Sequence, residues 1–490
     1  MKFLLAAQLA PFGDEAWYWQ ESRALDWGFS DLPPATALLI RLGETLLGHG
    51  AFAMRVPFVL LGAFVPVLLM RTGSRLFGPV AGSATGLLAL ALPMLATLGV
   101  FALPDVPLTF ASAWALDAIE RAARGRGRAW VELGVALALA WATHYRAAML
   151  MFAGAMFFCC AARGRSLLRG RGPWIAFAIA LIGVLPLIVF NVRHAGVGLG
   201  FQLVDRHPWE FHSDALVQPL EQAVIVTPLF YILLVWAAWT CLRRARSGAP
   251  WDLFAACACV PLLGYFVLGC FADDTRFRLH WPLPGYLPLL IVLPALVAER
   301  ASRGFRRFVA AGVLVLALGC AATFAYLGAA AIPGGASALA HVKAFPEHLV
   351  GWREAAAATR ARLDEPRFRD AVLVADNFML AAELDFALGG ERPVYSLDHP
   401  INAKHGRVPQ LALWKRDEAG LRSLGAVPVL LVAEPTARRE RERAGWIESL
   451  CSRVDHLASD GALTLYGGRK RYLFFSGVVP GTDFRGCASR

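Results

Sequence analysis

Charge is scarce in this sequence. Only 17% of its 490 residues are Asp, Glu, Lys or Arg, against 57% hydrophobic, whereas soluble domains average about 25% charged. That shortage excludes an ordinary soluble protein. Metal-ligand spacings are also missing: the nine cysteines form no CxxC pair, and Cys159, Cys160, Cys257 and Cys259 lie inside apolar runs, where cysteine serves as a small core residue. Cys451 and Cys487 fall in the polar C-terminal region and are placed to pair if that region is exported. The same region has no GxGxxG or P-loop, so no nucleotide site is read in it. No A-x-A exit precedes Gly13, so Met1–Phe12 does not read as a bare signal peptide. It is too short for a full span, and reads as the tail end of a first transmembrane helix whose start is missing, or as an interfacial or short tilted insertion.

What is present is a series of apolar stretches near 20 residues long, enough to cross about 30 Å of hydrocarbon. They predict spans at roughly 53–70, 80–99, 104–120, 130–144, 146–162, 173–191, 220–241, 252–271, 281–298 and 309–330. The net charge of +11 is not gathered on one face, which argues against nucleic acid as a partner. Arginines fill every second loop instead: Arg71 and Arg75, Arg121 to Arg128, Arg163 to Arg171, Arg243 to Arg246, and Arg300 to Arg307. Arginine-rich loops stay in the cytoplasm. The loops at 13–52, 100–105, 144–146, 192–219 and 272–280, with everything after about 331, are therefore expected outside. The expected architecture is a polytopic α-helical membrane protein of the inner membrane, with a membrane domain over 1–330 and a small extracytoplasmic α/β domain over 331–490. In the latter, 371–375, 393–397, 427–433 and 472–475 read as strands, and 378–388 and 435–450 as helices.

The outer loops hold the residues able to carry chemistry. Asp14 and Glu15 are followed by Trp17, Tyr18 and Trp19. These aromatics suit a headgroup belt, whereas an acid at the membrane boundary is costly unless it is wet, paired or used. Asp105, between Pro104 and Pro107, is placed both to cap a helix and to act chemically. Arg276, Arg278, His280 and Tyr286 lie at an outer boundary, against the charge rule. Their guanidinium forks match phosphate oxygens, and Asp273 and Asp274 are the internal alternative. Arg206 and His207 add a second such cluster.

Taken in order, GDEAWYWQESRALDWGFSDLPPATALLIRLGETLLG, RVPFVLLGA, LPDVPLTF, FQLVDR and RLHWPLPGY resemble the bacterial membrane glycosyltransferases related to protein O-mannosyltransferases and the aminoarabinose lipid A transferase. The resemblance covers about residues 10–330, is specific through the order of the motifs, and is faint beyond. It implies a glycosyltransferase of the C-type membrane fold that moves a sugar from a polyprenyl phosphate to an acceptor outside the cytoplasm, whether glycolipid, glycan or protein. It also implies a catalytic set drawn from Asp14, Glu15 and Asp105. Asp14 stands at the reaction centre, where a carboxylate receives or orients the acceptor proton, and Asp105 supports the acceptor or the loop. Arg278, His280 and Tyr286 are implied as donor phosphate ligands, with Arg206 and Arg55 secondary. Two departures stand out. Leu32 precedes Pro33-Pro34 where relatives often carry a basic residue. Asp31 stands where some relatives have an acid linked to a metal, with His207 as its candidate partner, so no cofactor is certain and a divalent metal stays open. The rival class is a transporter or lipid flippase, which tends to show paired repeats and midplane polar sites; neither is evident here.

Overall fold

The computed structural model describes residues 1–205, 209–271, 279–300, 302–332 and 334–480. Among these, the helices Ala51–Phe77, Gly172–Arg193, Trp251–Gly269 and Arg303–Ala331 are long and apolar enough to cross a membrane singly, and Pro79–Ala91, Ala147–Cys160 and Leu283–Ala298 are shorter apolar helices. With Asp105–Ala123 and Arg128–Thr143 they make a multi-pass bundle. Each span expected from the sequence falls on a helix or a helix pair. The span expected at 220–241 is not straight, because Ser213–Ile225 and Pro228–Ser247 meet at 112°. The break comes at Thr227-Pro228, where Thr227 has φ +69 and Pro228 starts the next helix; proline lacks the N–H needed to continue the preceding one.

Burial follows composition. Leu283–Ala298 is apolar on every side, and Tyr286, Leu287, Leu289, Leu290, Ile291 and Val292 are all buried, as expected of a central helix. Arg303–Ala331 buries only Gly312, Leu316 and Leu327 and lies at the periphery. At the arginine-rich end, Arg75 lies 2.9 Å from both Asp117 and Glu120. At the opposite end the loop leading to Asp105 lies flush on Ala51–Phe77. A Cβ on Gly62 would come within 2.2 Å of the Leu98 carbonyl oxygen, and one on Gly99 (φ +93) within 2.4 Å of that of Phe58, so only glycine allows this approach.

The C-terminal region forms a five-stranded sheet in the order β2-β1-β3-β5-β4. Here β1 is Val372–Ala375, β2 Val394–Ser396, β3 Pro428–Ala433, β4 Asp455–Leu465 and β5 Lys470–Val478. The first three are parallel, with Leu373 opposite Val394 and Leu430, and β5 runs antiparallel to β3 and β4. The strand β4 was not anticipated, because it is a largely exposed edge strand with Asp460 and Gly461 in it and no apolar run. Asp376 follows β1 and Glu434 follows β3; Asp376 Oδ2 accepts from Glu434 N at 3.2 Å and Trp446 Nε1 at 3.1 Å. Burial, and then the Glu434 charge, push the Asp376 carboxyl up to about 7.

The sheet region docks on the bundle through two helices, Phe378–Ala387 and Gly13–Arg23. Trp17 meets Phe378 edge-on at 5.5 Å and Trp19 meets Phe386 at 5.2 Å. Gln20 donates to Asp385 Oδ2 at 2.6 Å. Trp17 and Trp19 are thus fully buried between helices, which corrects the expectation that they anchor at lipid headgroups.

Candidate active site

Asp14 sits in the first turn of Gly13–Arg23, at the seam between the bundle and the sheet region, with its side chain 20% exposed. Among the described residues, its charged neighbours come from far along the chain. Arg407 Nη2 donates to Asp14 Oδ1 at 3.1 Å, and His405 Nδ1 lies 3.6 Å from the same oxygen. The other arm of the fork, Nη1, donates to Asp31 Oδ2 and lies 3.8 Å from Glu21 Oε1. The guanidinium is packed against the rings of Trp17, Tyr18 and Phe378 at 4.8, 5.2 and 5.3 Å, positions that favour a cation.

Three carboxyls around one guanidinium leave a charge surplus, and the geometry shows where it is relieved. Glu21 Oε2 and Asp31 Oδ1 are buried with no donor among the described residues. Burial, and next the Asp31 charge, raise the Glu21 carboxyl well above the usual carboxylate range. A raised Glu21 carboxyl takes up a proton more readily than a free one, which eases the crowding of acids around Arg407.

A second cluster lies around Asp105. Arg146 Nη2 donates to Asp105 Oδ1 at 2.6 Å, and His280 Nε2 is 3.3 Å from that oxygen. Arg146 lies over Trp281 at 5.6 Å, and its buried Nε has no partner among the described residues. Arg146 and His144 stand at one end of an apolar cavity of about 1360 Å³ that continues along Met149, Leu187 and Leu263 to Arg163, Arg165 and Asp252 at the other. Gln202 also lines this cavity and donates to the Asp31 carbonyl oxygen at 2.8 Å, joining the two clusters.

The remaining expected residues divide. Glu15 and Arg55 are fully buried in one another's company: Arg55 Nε and Nη2 donate to Glu15 at 2.8 and 2.6 Å, and the rest of the guanidinium is spent on backbone carbonyls. The expectation of Glu15 as a catalytic acid and Arg55 as a phosphate ligand is corrected, because neither reaches open space. Tyr286, expected at the donor phosphate, is 1% exposed and donates to Gln222 Oε1 at 2.7 Å inside the bundle core. Arg206, His207, Asp273, Asp274, Arg276 and Arg278 lie outside the described residues. Asp31 is held by Arg407, and among the described residues no group of three or more His, Cys, Asp or Glu is arranged for a metal ion. The sequence reading missed Arg407, His405, Glu21 and Gln202. It also passed over Arg146, an arginine in an outer loop against the charge rule, which is the same signal that singled out Arg278.

Residues 31–190 match the family model described as dolichyl-phosphate-mannose-protein mannosyltransferase. Over 239 residues the chain is 30% identical to the lipid A galacturonosyltransferase RgtD of Rhizobium johnstonii, covering 47% of this chain and 50% of that one; the chain spans about half the length of that relative. The fold is similar over nearly its whole extent to ArnT from Cupriavidus metallidurans. The apo structure matches with TM-score 0.67 at 17% identity, and the structure bound to undecaprenyl phosphate with 0.66 at 16%; each covers 97% of this chain and 95% of ArnT. The chain has the C-type membrane glycosyltransferase fold. The resemblance read from the ordered motifs is thus present in both sequence and three-dimensional structure. Within this C-type fold, Asp14, Asp31, Asp105 and Arg146 all collect at one end of the bundle, and the apolar cavity runs away from them between the helices.

Proposed function

We propose that the protein transfers a sugar from a polyprenyl-phosphate donor to an acceptor at the outer face of the inner membrane. The observation that carries this is the cavity mouth. A guanidinium whose Nε–H has no partner among the described residues, that of Arg146, stands at the head of an apolar channel of about 1360 Å³, which suits an anionic head on a long hydrocarbon tail. The guanidinium of a cavity-lining arginine is a cation whose planar fork matches phosphate oxygens. The arginine-rich loops belong in the cytoplasm, which puts the Asp14 end and the sheet region in the periplasm. The undecaprenyl phosphate held by ArnT is of the same chemical class.

Each step follows from a named group. Arg146, with His280 beside it, holds the donor phosphate, and Asp105 keeps the guanidinium oriented. The acceptor hydroxyl oxygen attacks the sugar anomeric carbon. As that bond forms, the bond from the carbon to the phosphate oxygen breaks, and the hydroxyl proton passes to the Asp14 carboxylate. Polyprenyl phosphate leaves with its charge already met by cations.

The partial match to RgtD makes galacturonic acid the first sugar to try and lipid A the first acceptor. Proteoliposomes containing the purified protein, undecaprenyl-phosphate-linked galacturonic acid and lipid A are expected to yield galacturonosylated lipid A and free undecaprenyl phosphate. A panel of other undecaprenyl-phosphate sugars extends the test. No transfer from any member to lipid A, envelope glycans or proteins rejects the reading.

A further inference from the structure

We propose that Arg407, supplied by the C-terminal domain, is a positioning residue for the reaction: it fixes the Asp14 carboxylate in place, and the two domains form one catalytic unit. The inference rests on the glycosyl-transfer reading above and adds to it a residue some 390 positions from Asp14 along the chain.

Three independent features hold this guanidinium where it is. The loop that carries it is fastened to the first outer loop, since Ser30 Oγ donates to the Gly406 carbonyl at 2.6 Å and Ser30 N to Gln410 Oε1 at 3.0 Å. Gly406 (φ +72) lies so close to Phe201 that a Cβ would come within 2.5 Å of the ring, so the loop sits tight against the bundle. The side chain itself is 3% exposed, enclosed by the three aromatic rings and forked between Asp14 and Asp31. A guanidinium suits this place because its planar fork reaches two carboxylates at once.

The consequence is electrostatic as well as geometric. Among the described residues, Asp14 faces Arg407 and His405 from the C-terminal domain and Tyr18 from its own helix, and it shares Arg407 with Asp31 and Glu21. Asp14 and Asp31 share the one guanidinium, so removing Arg407 leaves two neighbouring carboxyls without the compensating cation. The Asp14 carboxylate then both loses its anchor and becomes easier to protonate, so a base needed in its ionised form fails first at the acid end of the pH range.

The test is the pH dependence of transfer in proteoliposomes for the wild type and for Arg407→Ala, Arg407→Gln and Arg407→Lys, each checked for thermal unfolding. Arg407→Ala and Arg407→Gln are expected to lower kcat about a hundredfold with donor KM little changed, and to move the acid limb of the kcat profile up by about one pH unit. Arg407→Lys is expected to recover about tenfold of that loss, keeping charge but not the fork. Guanidinium ion added to Arg407→Ala is expected to restore activity where urea, neutral and of similar shape, does not. Variants that lose stability but keep the wild-type pH profile overturn the proposal, as does full activity in Arg407→Gln. If Arg407→Ala cannot be purified, Arg407→Lys and Arg407→Gln decide by the same profiles. A wild-type protein with no transfer at all counts against the function, and a transferring wild type with unshifted variants counts only against Arg407.

Discussion

Arg55 gives all five of its N–H groups to acceptors, and two of these are the two carboxylate oxygens of Glu15. The remaining three go to the carbonyls of Ala6, Leu9 and Ala10 at 3.0, 2.9 and 2.9 Å. Glu15 in turn accepts from Phe12 N at 2.9 Å and Ala102 N at 2.6 Å. One ion pair thereby ties together the N-terminal segment, the Asp14 helix, Ala51–Phe77 and the loop before Asp105.

A buried pair with every hydrogen bond made is expensive to break from one side. Arg55→Ala and Glu15→Ala are each expected to destabilise the protein by about 3–5 kcal/mol. Thermal unfolding in detergent measures this. Arg55→Lys, with one nitrogen in place of a fork, is not expected to rescue it. An Arg55→Ala variant that keeps wild-type stability and loses only donor affinity would restore the phosphate-ligand role.

Asp14→Asn keeps a hydrogen-bond acceptor for Arg407 and removes the base. Turnover is expected to fall by about 10²–10⁴-fold, with the undecaprenyl phosphate affinity unchanged. Initial rates and equilibrium binding check the two halves separately, and unaltered turnover removes Asp14 from the chemistry.

Arg146→Ala removes the charge at the mouth of the cavity. Undecaprenyl phosphate binding is expected to weaken by about 1.5–3 kcal/mol, the usual worth of a hydrogen bond to a charged group. Binding of the labelled lipid measures it, and equal affinity in the variant places the phosphate elsewhere.

Tyr286→Phe removes only a core hydroxyl that braces Gln222, whose Nε2 donates to the Leu279 carbonyl at 2.8 Å. A loss of about 1 kcal/mol in stability is expected, with donor affinity preserved. A large loss of affinity at wild-type stability would return Tyr286 to the donor site.

The Asp376 carboxyl titrates near 7 in the folded protein and near 3.9 in an unfolded chain. Between these values the unfolded state has released a proton that the folded state keeps, so stability falls as pH rises from 4 to 7 and levels off above. This one group contributes at most about 4 kcal/mol to that decline. Unfolding temperatures measured from pH 4 to 8 are expected to show the slope, and Glu434→Gln, which removes the neighbouring carboxylate, is expected to flatten it. A profile that rises over this range contradicts the assignment.

Much of the framework was legible in the residues. The apolar runs located the helices because backbone polar groups inside a bilayer must be satisfied within the segment itself, and β1, β2, β3 and β5 showed as short apolar runs between turns. The edge strand β4 and the 112° bend at Thr227-Pro228 were not legible, since an exposed strand carries no core pattern and a bend depends on packing. At the candidate site, Asp14 and Asp105 stood out as acids in outer loops. Glu15 stood out for the same reason and Arg55 through the family resemblance, and both were given chemical roles, although a saturated buried pair and an active pair contain the same residue types.

The sequence by itself determined the membrane class, the helices and the end of the bundle where the acids gather, because these follow from local hydrophobicity and charge. Which acid is sealed against Arg55, which is met by Arg407, and where Arg146 stands relative to an open cavity were decided only by the tertiary structure. Those outcomes depend on contacts between residues tens to hundreds of positions apart, and on the burial that gives each such contact its strength.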